Sequence, residues 1–198
     1  MSSQISPNPH RRPLILLSDG ILSYDMPQGH KRGHDLDFSD TTYDGVNLND
    51  HLSGGLGKLT DKDEGHSNFR LDVHQSGKRG FEWIAWKKDS PLTDPVEIHF
   101  RFDAVRRFNE VRIHSNNLFS KDVKVFKAVE IQFSVGGRYY GQGQEPILYE
   151  YPEDNVMEEA RSVDVPIPGM VGRFVKLSLY FNSRWIMISE IQFESGET

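Results

Sequence analysis

The sequence predicts an all-β domain of sandwich or jelly-roll type, and three observations carry that prediction. Apolar and polar residues alternate with period two in five separate runs, glycine and proline clusters fall between the runs, and no stretch has sustained helical periodicity. A period of two places alternate side chains on opposite faces of a strand, so each run describes a strand with one buried face.

Residues 13–17, Pro13-Leu14-Ile15-Leu16-Leu17, form the most apolar run, and the polar residues 1–12 before it read as a linker. Residues 18–66 are rich in Gly, Asp, His and Asn and predict long structured loops. Phe81-Glu82-Trp83-Ile84-Ala85-Trp86 reads as a core strand, with Phe81 and Trp83 on one face and Ile84 and Trp86 on the other. The clearest alternation is Val96-Glu97-Ile98-His99-Phe100-Arg101-Phe102. It recurs in Val111-Arg112-Ile113, in Val129 to Val135, in Val163-Asp164-Val165, and in Val175 to Leu179. Pro91 and Pro95, Gly136-Gly137, Pro152, and Pro166, Pro168 and Gly169 are read as the breakers between strands. One short helix is expected around Val156 to Arg161.

A chain of 198 residues that is 36% hydrophobic and 11% aromatic can fill a single core and is read as one domain over residues 13–195. Its net charge of −6 is dispersed, and Lys and Arg form no basic stripe, which argues against nucleic acid as a partner. There is no cysteine, hence no disulfide, thiol nucleophile or Cys-ligated zinc. No apolar run approaches the roughly 20 residues of a membrane helix, so direct membrane insertion is not expected.

Catalytic motifs are missing: there is no Gly-x-Ser-x-Gly elbow and no His-Glu-x-x-His pair. A binding or regulatory module, not an enzyme, is therefore expected. His30 and His34 have the i, i+4 spacing of a helical metal pair, but Gly29 and Gly33 argue for an exposed loop. The Gly54-Gly55-Leu56-Gly57 and Gly141-Gln142-Gly143 clusters lack the helix or the Lys-Ser/Thr of a phosphate cradle and read as turns. Asp61, Asp63 and Glu64 alternate like part of a calcium loop, with a solvated acidic turn as the competing reading. Trp185 beside Arg184 is the candidate for a carbohydrate or lipid headgroup, weighed against a Trp that simply leads into the last strand.

Several segments, in order, resemble the discoidin-like domain of discoidin domain receptors, a family of collagen-activated receptor tyrosine kinases. They are Ser18 to Tyr24, Asp40 to Gly45, Gly54 to Asp61, Phe81 to Trp86, His114 to Asn117 and Ile188 to Ile191. The resemblance implies a jelly-roll β-sandwich with inserted strands, on the extracellular face of the plasma membrane within a single-pass receptor. It implies as partners a preceding collagen-binding discoidin domain, collagen through the parent receptor, and a second copy in a homodimer. It also implies a structural calcium site on Ser39, Lys58, Asp61, Asp63, Phe81, Trp83, Ser189 and Glu190. At three of these positions this chain departs from the family, with Ser39 for Asn, Lys58 for Gln and Asp63 for Val. Lys58 has no acceptor to offer, so its ammonium standing in the ion's place beside Asp61 and Glu190 is the alternative. The resemblance further implies an inter-strand disulfide in vertebrate members, at positions that here are Ile131 and Leu177.

Overall fold

The computed structural model describes residues 20–89 and 93–197. The expected linker over residues 1–12, the apolar run 13–17, Ser18, Asp19 and Pro91 lie outside the described residues. The architecture is antiparallel β throughout, with helix limited to short 3-10 turns among the described residues. Strands are β1 (Ile21–Pro27), β2 (Lys31–Arg32), β3 (Leu36–Asp37), β4 (Val46–Leu48), β5 (His51–Gly55) and β6 (Ile84–Lys87). They continue with β7 (Val96–Ser115), β8 (Ala128–Ser134), β9 (Ile147–Glu150), β10 (Arg161–Tyr180) and β11 (Trp185–Glu197).

The five alternating runs are all strand, yet they make three strands and not five. Val96–Phe102 and Val111–Ile113 are the two ends of β7, and Val163–Val165 and Val175–Leu179 the two ends of β10. These two strands of 20 residues pair antiparallel along their length, from Arg161 opposite Ser115 to Leu179 opposite Val96. The register slips between Pro166 and Met170 and between Gly172 and Phe174. Pro166 and Pro168 thus interrupt the ladder without ending the strand, because a bulge is a place where a missing N–H costs little. Both prolines sit on exposed positions, while Val163, Val165 and Ile167, which alternate with the exposed positions, are buried.

One layer is built on the first half of β7, which pairs with β1, and on the second half of β10, which pairs with β8. Beyond these lie β5 and β4 on one side and β9 on the other. The other layer uses the second half of β7, which pairs with β11, and β11 in turn pairs with β6. Between the layers Phe193 packs against Phe100, Phe102 and Phe108, with centroids 5.0, 5.4 and 5.8 Å apart in edge-to-face geometry. A second, smaller core of Phe38, Phe69, Trp83, Ala85, Val123, Trp185 and Met187 lies under the loops.

Two local expectations are corrected. Residues 151–160 form no helix, because the groups a helix would use are taken elsewhere. Asn117 Nδ2 donates to the carbonyls of Asp154 (2.9 Å) and Met157 (3.0 Å), and Asp154 Oδ1 accepts from the Val156 and Met157 amides. Phe81 and Trp83 do not share a strand face. The Trp83 amide closes a turn onto the Gly80 carbonyl at 3.1 Å, the strand begins at Ile84, and Phe81 is left half-buried outside it. The 141–143 cluster is a turn, with φ of +75° at Gly141 and +74° at Gly143, whereas Gly54 and Gly55, read as a turn, close strand β5, with φ of +72° at Gly54.

Ile131 and Leu177 face each other directly across the β8–β10 ladder, and both are fully buried. Directly opposed residues in an antiparallel pair have Cα atoms about 4.5–5.5 Å apart, within disulfide reach. The double variant Ile131→Cys/Leu177→Cys is expected to cross-link on oxidation. Its oxidised form should exceed its reduced form by about 2–4 kcal/mol in urea denaturation.

Candidate metal centre

The expected ligands come from four places in the chain, and the fold gathers them around residues 57–66, which follow β5 with a single 3-10 turn at Lys58–Thr60. Polar contacts fix this loop. The Lys62 amide donates to Glu190 Oε2 at 2.9 Å, the Gly65 amide to Ser189 Oγ at 2.8 Å, and Trp83 Nε1 to the His66 carbonyl at 3.1 Å. His114, at the end of β7, stacks on Trp83 and donates from Nε2 to the Gly65 carbonyl at 3.1 Å. Position 65 must be glycine, since a Cβ there would lie 2.1 Å from the Trp83 indole.

Glu190 is the centre of the arrangement. It is 2% exposed, and its Oε1 has no hydrogen-bond partner. Burial, with further contributions from Asp61 and Glu64, pushes its carboxyl up to about 8 against the opposing Lys62 amide. Asp61 is also raised, by burial first and then by Asp63 and Asp40, although it lies at the exposed rim. Two carboxyls raised by burial, one of them with an unsatisfied buried oxygen and a further push from Asp61, make an under-neutralised pair that a cation would relieve.

Lys58 does not supply that cation. Its side chain is 1% exposed, donates from Nζ to the Ser39 carbonyl at 2.7 Å, and lies 4.5 Å from the centroid of the Phe81 ring. It makes no ion pair among the described residues, so the alternative in which its ammonium pairs directly with Asp61 and Glu190 is not what the structure holds. Burial lowers Lys58 to about 8, opposed by Asp40, Asp37 and Asp61. Asp63 is engaged elsewhere as well. Its amide caps Asp61 Oδ1 at 2.9 Å, and its carboxylate meets His74 Nε2 at 2.8 Å.

The fold therefore brings together Asp61, Ser189, Glu190 and Trp83 through the loop, and Ser39, Lys58 and Phe81 through the lysine. Among the described residues no three His, Asp or Glu side chains converge as a ready-made metal cage. A site here has to draw on main-chain carbonyls, which is the role a hard cation gives to Phe81 and Trp83. Asp40 was not foreseen as part of this region. It is 3% exposed, receives the Tyr24 hydroxyl and accepts the Lys58 amide at 3.3 Å. Its segment was read for motif order alone, since burial of an Asp leaves no sequence signal.

The remaining candidates resolve simply. Trp185 is 5% exposed, opens β11 and packs in the smaller core, so the Trp185–Arg184 glycan site loses its aromatic platform. His30 precedes β2 and His34 sits in the turn between β2 and β3, and His30 Nδ1 accepts the Lys87 amide at 2.9 Å. No helix among the described residues is long and apolar enough to cross a membrane.

The sequence profile of the family described as "Discoidin domain-containing receptor 1/2, DS-like domain" matches residues 20–195. The chain belongs to the discoidin-like domain family of discoidin domain receptors. It is 32% identical over 183 residues to the mouse epithelial discoidin domain-containing receptor 1, covering 91% of this chain and 20% of that protein. It is 30% identical over 183 residues to the discoidin domain-containing receptor tyrosine kinase B of Caenorhabditis elegans, covering 91% of this chain and 22% of that protein. The chain thus spans about a fifth of the relatives it matches, and the matched family is a discoidin-like domain and not a kinase. The C-terminal domain of a chitobiase from Bacteroides fragilis superposes with a TM-score of 0.50 at 13% identity, covering 90% of this chain and 93% of that one. This likeness bears on fold alone.

The Glu190 carboxyl sets a pH signature for the domain held in chelator. Its folded pKa of about 8 lies above the ordinary 4.5, so between those values the folded state holds a proton that the unfolded chain has released. Stability from this group is full below about pH 4.5 and is lost as pH rises through 8. Glu190→Gln is expected to flatten the decline, which reaches about 1.4 kcal/mol per pH unit for one proton, as read by urea denaturation from pH 5 to 8.

Proposed function

We propose that this domain is the non-catalytic, membrane-proximal discoidin-like module of a cell-surface receptor, lying outside the cell next to a collagen-binding discoidin domain. The carrying observation is the family match over residues 20–195 in a chain that spans about a fifth of its receptor relatives. Its work is to hold the neighbouring domain in a fixed orientation and to offer surface for receptor pairing, so that collagen occupancy outside reaches the kinase within. Two layers that share the continuous strands β7 and β10 suit that role, because the same ladder ties both sheets together.

The reading includes a structural calcium ion held by the Glu190 and Asp61 carboxylates and by carbonyls of the Phe81–Trp83 turn, with Ser39 and Ser189 alongside. Calcium would supply the positive charge that neutralises Glu190 and Asp61 where Lys58 does not. The chain's own part is to position the donors: the Lys62 amide holds one Glu190 oxygen and leaves the other unpartnered.

A thermal melt with chelator against calcium tests the ion. At a hundredfold excess over Kd the gain is about 2.7 kcal/mol, or several degrees in a domain of this size. Glu190→Gln is expected to abolish the shift, and Lys58→Gln, which restores a side-chain oxygen, to enlarge it. An unchanged melting temperature in the wild type rejects the ion. For the receptor role, exposed positions of this domain are substituted in the full-length protein and collagen-induced phosphorylation is measured. Reduced or constitutive phosphorylation is the expected result, and unchanged signalling at every position would overturn the role.

A further inference from the structure

A second unneutralised carboxylate lies on the other side of the 61–66 loop. Glu82 is 3% exposed, and its Oε1 accepts the His66 amide at a long 3.3 Å. Its Oε2 is buried with no partner. Among the described residues no lysine or arginine pairs with it. Glu82 lines a surface cleft of about 340 Å³ with Asp63, Glu64, His66, His74 and His114, whose remaining walls include Val73 and Ala160.

The cations near this cleft are committed elsewhere. Arg112, which feels the charge of Glu64, is bound to Asp164 at 2.6 Å, and Arg161 is bound to Asp154. His114 spends Nε2 on the Gly65 carbonyl, and its Nδ1 lies 3.0 Å from Ser162 Oγ and 3.8 Å from Glu64. Asp63, Glu64 and Glu82 thus line one cleft; Asp63 meets His74 Nε2 at 2.8 Å, while Glu82, the most buried of the three, keeps one oxygen without a partner. Burying an ionised carboxylate in this way is costly unless a positive group completes it.

The opening is wider than an ion needs, and its carboxylates do not form a metal cage. Its walls mix charge with apolar surface, since Val73 is 48% exposed and the His74 ring stands against Phe81. This is the chemistry that recognises a cationic head on an aliphatic stem: the methylenes lie along Val73 and Ala160 while the head reaches the carboxylates. We propose that the Glu82 cleft is a docking pocket for a lysine or arginine side chain of a protein partner. It differs from the Glu190 centre in its carboxylates, since Glu82 takes the His66 amide and Glu190 the Lys62 amide.

The test uses Nα-acetyl-arginine amide and Nα-acetyl-lysine amide as probes, with Nα-acetyl-norleucine amide as the uncharged control. Binding is read from amide chemical shifts of the ¹⁵N-labelled domain, in chelator and again in saturating calcium. Saturable shifts at Gly65, His66 and Glu82 with a charged probe in both conditions, at least tenfold weaker in Glu82→Gln, are expected. A stronger response to the arginine probe identifies guanidinium as the preferred head, and to the lysine probe, ammonium. Val73→Trp, which fills the cleft from its exposed wall, should block the probes even if Glu82→Gln fails to fold. Equal shifts with the norleucine probe, loss of binding in calcium, or unchanged affinity in a folded Glu82→Gln would each overturn the pocket.

Discussion

Everything in this domain depends on the pairing of β7 with β10. Each is 20 residues long, and each serves both layers, so the sandwich is made by bending one continuous ladder and not by stacking two independent sheets. Bending a ladder requires places where hydrogen bonds can be missing. The chain puts Pro166 and Pro168 at one such place in β10, and opposite Gly172 to Phe174 it puts the second in β7, between Arg101 and Arg106, which leaves the paired ends regular. The outer strands then have a fixed template: β1 and β8 on one layer, β11 and β6 on the other. That template delivers Glu190 and Ser189 from β11 and the Phe81–Trp83 turn from the approach to β6 to the same loop.

The loop over residues 57–66 illustrates how polar contacts can order backbone that owns little core. Its amides and carbonyls are taken by Glu190, Ser189, Glu82, Trp83 and His114, so its conformation is set by partners on three other segments. Carboxylates on two sides of it each keep one oxygen unsatisfied. A fold selected for stability alone would replace such groups with apolar ones. Their presence leaves the loop with two buried carboxylate oxygens that no group among the described residues satisfies. Lys58, within the same loop, is instead locked between a carbonyl and an aromatic ring.

The alternation of residues 96–102 was legible because the strand is half-buried, and the sequence there maps one to one onto inside and outside. The continuity of β7 was not. Residues 103–110, Asp-Ala-Val-Arg-Arg-Phe-Asn-Glu, lose the alternation at the bend, where the strand changes layers and its inward face changes with it. Pro166 to Gly169 misled for a related reason, since proline signals a lost donor and not necessarily a lost strand. At the site, Asp61 and Glu190 could be named because the family motif surrounds them. The engagement of Asp63 by His74 and the burial of Asp40 and Glu82 were invisible, because whether a carboxylate is inside depends on loops packed from distant segments.

One detail of the bend has a mechanical consequence. Gly20, at φ +96°, lies so close to Arg106 that a Cβ would overlap its guanidinium, and its carbonyl accepts the Asp103 amide at 2.9 Å. The backbone of Glu197, at the far end of β11, stands opposite that of Arg106 in the β7–β11 ladder. Arg106 is held by Asp103 through Nε at 2.9 Å and reaches Ser195 through Nη1 at 3.5 Å. The two ends of the described chain are thus fastened to one short stretch of β7. A force pulling residues 20 and 197 apart would therefore meet the Asp103–Arg106 stretch of β7 first, ahead of the β1–β7 and β7–β11 ladders.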